Sequence, residues 1–133
     1  MSILARALQI KSPGGPEVLE LGELALRAPG PGEVLVEIKA AGLNRADCLQ
    51  RRGVYPAPPG VVPNVPGLEY AGVVADVGPE VRRYKAGDRV MAICGGGSMA
   101  THIVAHEGEL VPVPEGMSFS EAAAVPEVFM TAF

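Results

Sequence analysis

Val34, Val36 and Ile38 alternate with Leu35, Glu37 and Lys39, the two-residue period of a half-buried strand. Leu4 to Ile10 predicts an earlier strand, ending at the turn Ser12-Pro13-Gly14-Gly15-Pro16, where proline withdraws a donor and glycine frees the backbone. Leu19 to Leu26 predicts another, with Leu19 and Leu21 opposite Glu20 and Gly22. Tyr70 to Val77 and Asp88 to Ile93 are rich in valine and alanine and read as buried strands; Ser98 to Ala105 and Leu110 to Val113 complete the set. Strands at intervals of roughly 8–15 residues, separated by turn chemistry, predict a mainly β fold, a small barrel or sandwich.

Two helices interrupt this pattern. Asn44 is a favoured cap residue, and Asp47 can return a hydrogen bond to it or sit at the positive helix end, so 45–52 predicts a short helix. Ser118 and Glu121 have the spacing of a capping box, with Met117 and Ala122 placed as a hydrophobic staple, so Phe119 to Val125 predicts a second helix. Pro126 ends it and opens a further helical run over 127–133.

Composition narrows the class. A length of 133 residues is enough for one domain with a real core, and a 48% apolar fraction excludes disorder. Seventeen glycines and 13 prolines fit a chain of many turns. A net charge of −4 with a pI near 5.1 predicts no nucleic-acid or anionic-membrane partner, both of which require a basic face. No apolar run approaches the ~20 residues of a membrane span, and residues 1–10 show no secretory signal, so a cytoplasmic location is expected. Cys48 and Cys94 then read as free thiols.

Several tempting motifs carry no chemistry. His102 and His106 have a helical metal-pair spacing, but Thr101 to Ala105 reads as a strand, where such residues lie ~13 Å apart. Gly95-Gly96-Gly97 lacks the Lys-Ser/Thr and helix of a phosphate loop and is a turn. Cys48 lacks an orienting partner and reads as a packed thiol.

Asn44-Arg45-Ala46-Asp47, Arg52-Gly53-Val54-Tyr55-Pro56, Gly67-Leu68-Glu69-Tyr70-Ala71-Gly72, Lys85-Ala86-Gly87-Asp88-Arg89-Val90 and Ala122-Ala123-Ala124-Val125-Pro126-Glu127 together resemble, in order and spacing, the medium-chain dehydrogenase/reductase superfamily. Leu68 stands where zinc enzymes of that superfamily carry a metal-binding His, and Asn44 where they carry a Cys. The chain is thus most similar to the zinc-free quinone oxidoreductases. The resemblance implies a GroES-like, partly open β-barrel over 1–125, with 126–133 opening a linker helix toward a Rossmann nucleotide-binding domain. No glycine fingerprint of such a domain occurs in the sequence, so the chain is expected to be the substrate-side part and inactive alone.

In the whole protein the resemblance implies NAD(P)H-dependent reduction of a quinone by direct hydride transfer, with NADPH as cofactor and no metal. The alternatives are a zinc-free enoyl-thioester reductase or a non-catalytic binding module. Asn44 and Tyr55 become the candidate catalytic residues; Asn44, Arg45, Asp47 and Thr131 are the candidates near the nicotinamide. Each has a plainer reading, as helix cap (Asn44), loop packing (Tyr55), helix-start carboxylate (Asp47) or ordinary helix residue (Thr131). A homo-oligomer is expected, because Ala122 to Phe133 carries one charge in twelve residues and such a surface seeks cover.

Overall fold

The structure, a computed structural model, describes residues 2–133. Its elements run β1 (Ser2–Ile10), β2 (Leu19–Arg27), β3 (Glu33–Ala41), α1 (Arg45–Arg51), β4 (Glu69–Val77), β5 (Arg89–Ile93), β6 (His102–His106), β7 (Val111–Pro112) and α2 (Phe119–Ala122), followed by a wide helical turn at Pro126–Met130. β1 and β2 form an antiparallel ribbon; the other strands form one sheet in the order β6-β3-β4-β5-β7. A bridge between Ala7 and Ala100 joins the ribbon to the segment leading into β6. Among the described residues no helix is long and apolar enough to cross a membrane.

The central strands are covered on both faces, which is why β4 reads as a run of apolar residues rather than an alternation. Tyr70, Val74, Val34, Val36, Val90 and Ile103 pack together on one side. Ala71 and Met91 turn to the other side, where Ala122 and Ala123 cover them. Leu35 packs with Ala5 and Leu26, anchoring the ribbon. Gly72 permits the close pairing of β4 with β3, since a Cβ there would strike the Glu37 carbonyl.

Element bounds depart most from the sequence pattern in three places. The strand expected over Ser98 to Ala105 begins only at His102. The preceding residues spend their backbone groups elsewhere: Met99 N–H on the Pro66 carbonyl at 2.9 Å, and Thr101 N–H on the Arg6 carbonyl at 2.8 Å. β7 is the short core of the strand expected over Leu110 to Val113. The helix expected over Phe119 to Val125 closes after one turn. Ala124 and Val125 donate three residues back, to Glu121 and Ala122, and Pro126 has no N–H with which to continue the ladder.

The caps themselves follow the pattern. Glu121 N–H donates to Ser118 Oγ at 3.2 Å, and Ser118 N–H donates to Glu121 Oε2 at 2.8 Å. Pro126 opens the next helical turn from its first position.

Candidate functional site

A helix of seven residues does not hold itself together in water, so α1 depends on its fastening to the sheet. Asp47 supplies it. Its side chain is buried, and its two oxygens accept N–H groups from Asn44 (2.8 Å) and from Gly67 (3.0 Å), twenty residues on. Burial pushes the Asp47 carboxyl above its ordinary range, opposed by these two donors and reinforced by the nearby Glu69 charge.

Asn44 stands at the start of α1 with extended backbone angles, and the Asp47 N–H donates to its main-chain carbonyl at 3.1 Å. Its side-chain amide reaches across to β4, where Nδ2 donates to Glu69 Oε1 at 2.9 Å. Asn44 is half-buried.

Glu69 is the residue beside Asn44 that the sequence pattern passes over, except as one letter of a motif. It is 3% exposed, between buried Leu68 and Tyr70. Its second oxygen accepts the Glu127 N–H at 2.9 Å. Gly42 lies against it so closely that any Cβ would overlap the carboxylate. The available signal was a charge inside a buried apolar run, since such a group survives only with committed partners.

Tyr55 forms no part of this hydrogen-bonded group. It is 42% exposed, in the loop after α1, and lines a pocket of 370 Å³ with Lys11, Gln50, Pro56, Pro63 and Asn64. Asn44 does not line that pocket. Arg45 and Thr131 are both exposed. The structure thus gathers Asn44, Asp47, Glu69 and Glu127 at one place, while Tyr55 lines the pocket beside the loop after α1. A larger apolar groove of 530 Å³, between the ribbon and β3 and lined by Leu8, Leu21, Ile38 and Met99, was not foreseen from the sequence.

Among the described residues no group of three or more His, Cys, Asp and Glu is placed to hold a metal ion. Leu68 is buried, and its carbonyl accepts the Cys94 N–H at 2.8 Å. Burial pushes the Cys94 thiol up to about 11. Cys48 and Cys94 are both free. His102 Nδ1 lies 3.1 Å from Thr101 Oγ1, while His106 Nδ1 accepts the Gly108 N–H at 3.0 Å, so each ring is engaged locally. Gly95 and Gly96 form a bend where a turn was expected.

The comparisons with known proteins agree with this architecture. Residues 30–115 match the family model of the alcohol dehydrogenase GroES-like domain. The chain is 45% identical over 124 residues to a quinone oxidoreductase of Pseudomonas aeruginosa, covering 92% of this chain and 37% of that protein. It superposes on the crystal structure of the human synaptic vesicle membrane protein VAT-1 homolog-like protein with a TM-score of 0.89 at 38% identity, over 98% of this chain and 42% of that one. A quinone oxidoreductase from Pseudomonas syringae pv. tomato superposes with a TM-score of 0.86 at 43% identity, over 96% of this chain and 39% of that one. The chain therefore spans well under half of the relatives it matches. With its central sheet inside the matched segment and the Asn44–Glu69 site at its rim, the chain belongs to the alcohol dehydrogenase GroES-like domain family of the medium-chain dehydrogenase/reductase superfamily.

Proposed function

We propose that this chain is the substrate-side part of a zinc-free, NADPH-dependent quinone oxidoreductase of the cytoplasm. The observation that carries the reading is the Asn44 amide held at 2.9 Å by buried Glu69, beside a buried Leu68 that has no lone pair to give a metal. The polarising role that zinc has in related dehydrogenases falls to side-chain donors. The 45% identity to a quinone oxidoreductase supports a quinone as the acceptor.

When bound, the dinucleotide supplies the hydride. Arg45 and Thr131, both exposed, would face its nicotinamide end together with Asn44. Asp47 serves the same site by holding the helix start, since both its oxygens are already engaged. Glu69 accepts through both oxygens, so the Asn44 atom facing it is nitrogen, leaving one N–H and the amide oxygen for a ligand. That N–H and the Tyr55 hydroxyl donate to negative charge developing on the quinone, each to the oxygen within its reach. Because Asn44 does not line the Tyr55 pocket, the two act on one substrate only if it extends from that pocket to the Asn44 amide.

The test uses a full-length protein carrying this chain and a nucleotide-binding domain. NADPH oxidation is followed with 1,4-benzoquinone and, separately, with an enoyl thioester. Turnover with the quinone and none with the thioester is the expected result; the reverse assigns the enoyl-reductase alternative, and no turnover with either assigns a binding module. Elemental analysis after chelator dialysis, finding one zinc per chain, would overturn the metal-free reading.

A further inference from the structure

Glu69 has contacts that a purely space-filling residue does not need. Its carboxylate is 3% exposed, and no Lys, Arg or His among the described residues pairs with it within 4 Å. Its stability in the interior therefore rests on hydrogen-bond donors, here one per oxygen. One donor is the Asn44 side chain, 25 residues earlier; the other is the Glu127 backbone N–H, 58 residues later. The second is significant because Pro126 opens that helical turn and its first N–H groups have no partner within it. Pro126 itself is buried, so the turn starts from a fixed point.

We infer that Glu69 is a positioning residue which ties the Asn44 amide to the first turn of the Pro126–Met130 helix, so that the placement of that turn and the orientation of Asn44 are set together. This inference rests on the reading of Asn44 as part of the reactive site. The two bonds share one rigid, planar carboxylate, and rotating it to follow one donor withdraws it from the other. Only glycine at position 42 admits the carboxylate in this place, as any Cβ there would overlap it. A shift of the Pro126–Met130 turn is thereby felt at Asn44.

The chemistry of Glu69→Gln gives a specific outcome. A glutamine keeps the volume but offers one acceptor and one donor. The Glu127 N–H cannot invert, so it retains the Gln oxygen. The Gln NH₂ then faces Asn44, whose amide must flip to present its oxygen. Asn44 ends with its nitrogen pointing the wrong way while the fold stays intact.

The test is made in the full-length protein with ¹⁵N-asparagine labelling and amide exchange. Glu69→Gln is expected to displace the Asn44 side-chain NH₂ resonances, to leave Glu127 exchange slow, and to lower kcat on 1,4-benzoquinone about tenfold with KM for NADPH within about twofold. Glu69→Ala is expected to speed exchange at Glu127 about tenfold or more, with Val74 in the sheet core unchanged. Adding Asn44→Ala to Glu69→Gln should cost no further turnover, because both changes remove the same correctly aimed amide. Additive losses in that double variant, or unshifted Asn44 resonances together with unaltered Glu127 exchange, would reduce Glu69 to a packing residue. If the unaltered protein turns over neither quinone nor thioester, the functional reading fails. The resonance shift and the Glu127 exchange then decide the coupling by themselves.

Discussion

Replacing Asp47 by Ala removes the fastening between α1 and the sheet, and the structure sets the size of the loss. The Gly67 N–H, now bonded at 3.0 Å in a buried segment, is left without a partner where water does not reach; an orphaned buried donor costs about 1–3 kcal/mol. The Asn44 N–H, bonded at 2.8 Å at a half-buried helix start, is partly recovered by water, and losing such a cap costs about 1 kcal/mol. Relief of the carboxyl's burial offsets part of this, so a net loss of about 2–3 kcal/mol is expected. Urea denaturation of the 133-residue chain measures it as a lowered midpoint at unchanged slope. The pH dependence gives a second reading. The folded carboxyl lies above its ordinary value of 3.8, so between those two values the folded state binds the proton more readily than the unfolded state. The stability that Asp47 contributes therefore declines as pH rises through that window, and the gap between native and Asp47→Ala proteins is widest on its acid side. A loss below about 0.5 kcal/mol, or a gap that widens as pH rises from 4 to 6, would refute the fastening role.

Gly67→Ala is expected to destabilise by about 2 kcal/mol or more in the same assay, because φ is +109° and the added Cβ meets the Met99 backbone nitrogen at 2.7 Å; an unchanged midpoint would contradict this. Tyr55→Ala in the full-length protein should lower kcat/KM on quinones about tenfold, ~1.4 kcal/mol of transition-state stabilisation, with melting unaffected; unchanged kinetics would make Tyr55 a loop-packing residue. Cys94, its thiol pushed up to about 11 and half-buried, should react with iodoacetamide at pH 8 about a hundredfold more slowly than free cysteine, read by peptide mass spectrometry; comparable rates would contradict its burial. The Arg27 guanidinium and the Gly30 N–H hold the Glu33 carboxyl at about 2, below its ordinary 4.5. Its contribution is thus present above pH 4.5 and lost as pH falls toward 2. With Arg27 largely exposed, Glu33→Gln should cost no more than about 1 kcal/mol at pH 7 and less at pH 2; a loss undiminished at pH 2 would contradict the ion pair.

What could be read from the sequence alone lies within a few residues of its cause. The Ser118–Glu121 box and the stop and restart at Pro126 each depend on spacing along one element, where backbone geometry leaves few choices; β3 was legible as a strand, but not the burial of Leu35 against Ala5 and Leu26 on its second face. The motif order was equally legible, and the family match over residues 30–115 agrees with it. Asp47 was readable as a helix-start carboxylate, but its second bond, to Gly67, was not. The strand expected from Ser98 failed because Met99 and Thr101 find partners in Pro66 and Arg6, and nothing in their own pattern marks those partners. Glu69 shows the division most sharply. Its neighbours Leu68 and Tyr70 announce a buried strand, which argues only that a charge there needs donors. Which donors it has, Asn44 and Glu127, is settled when β4, α1 and the Pro126 turn converge. A buried charge takes its meaning from groups brought near by topology, and separations of 25 and 58 residues lie beyond any local period.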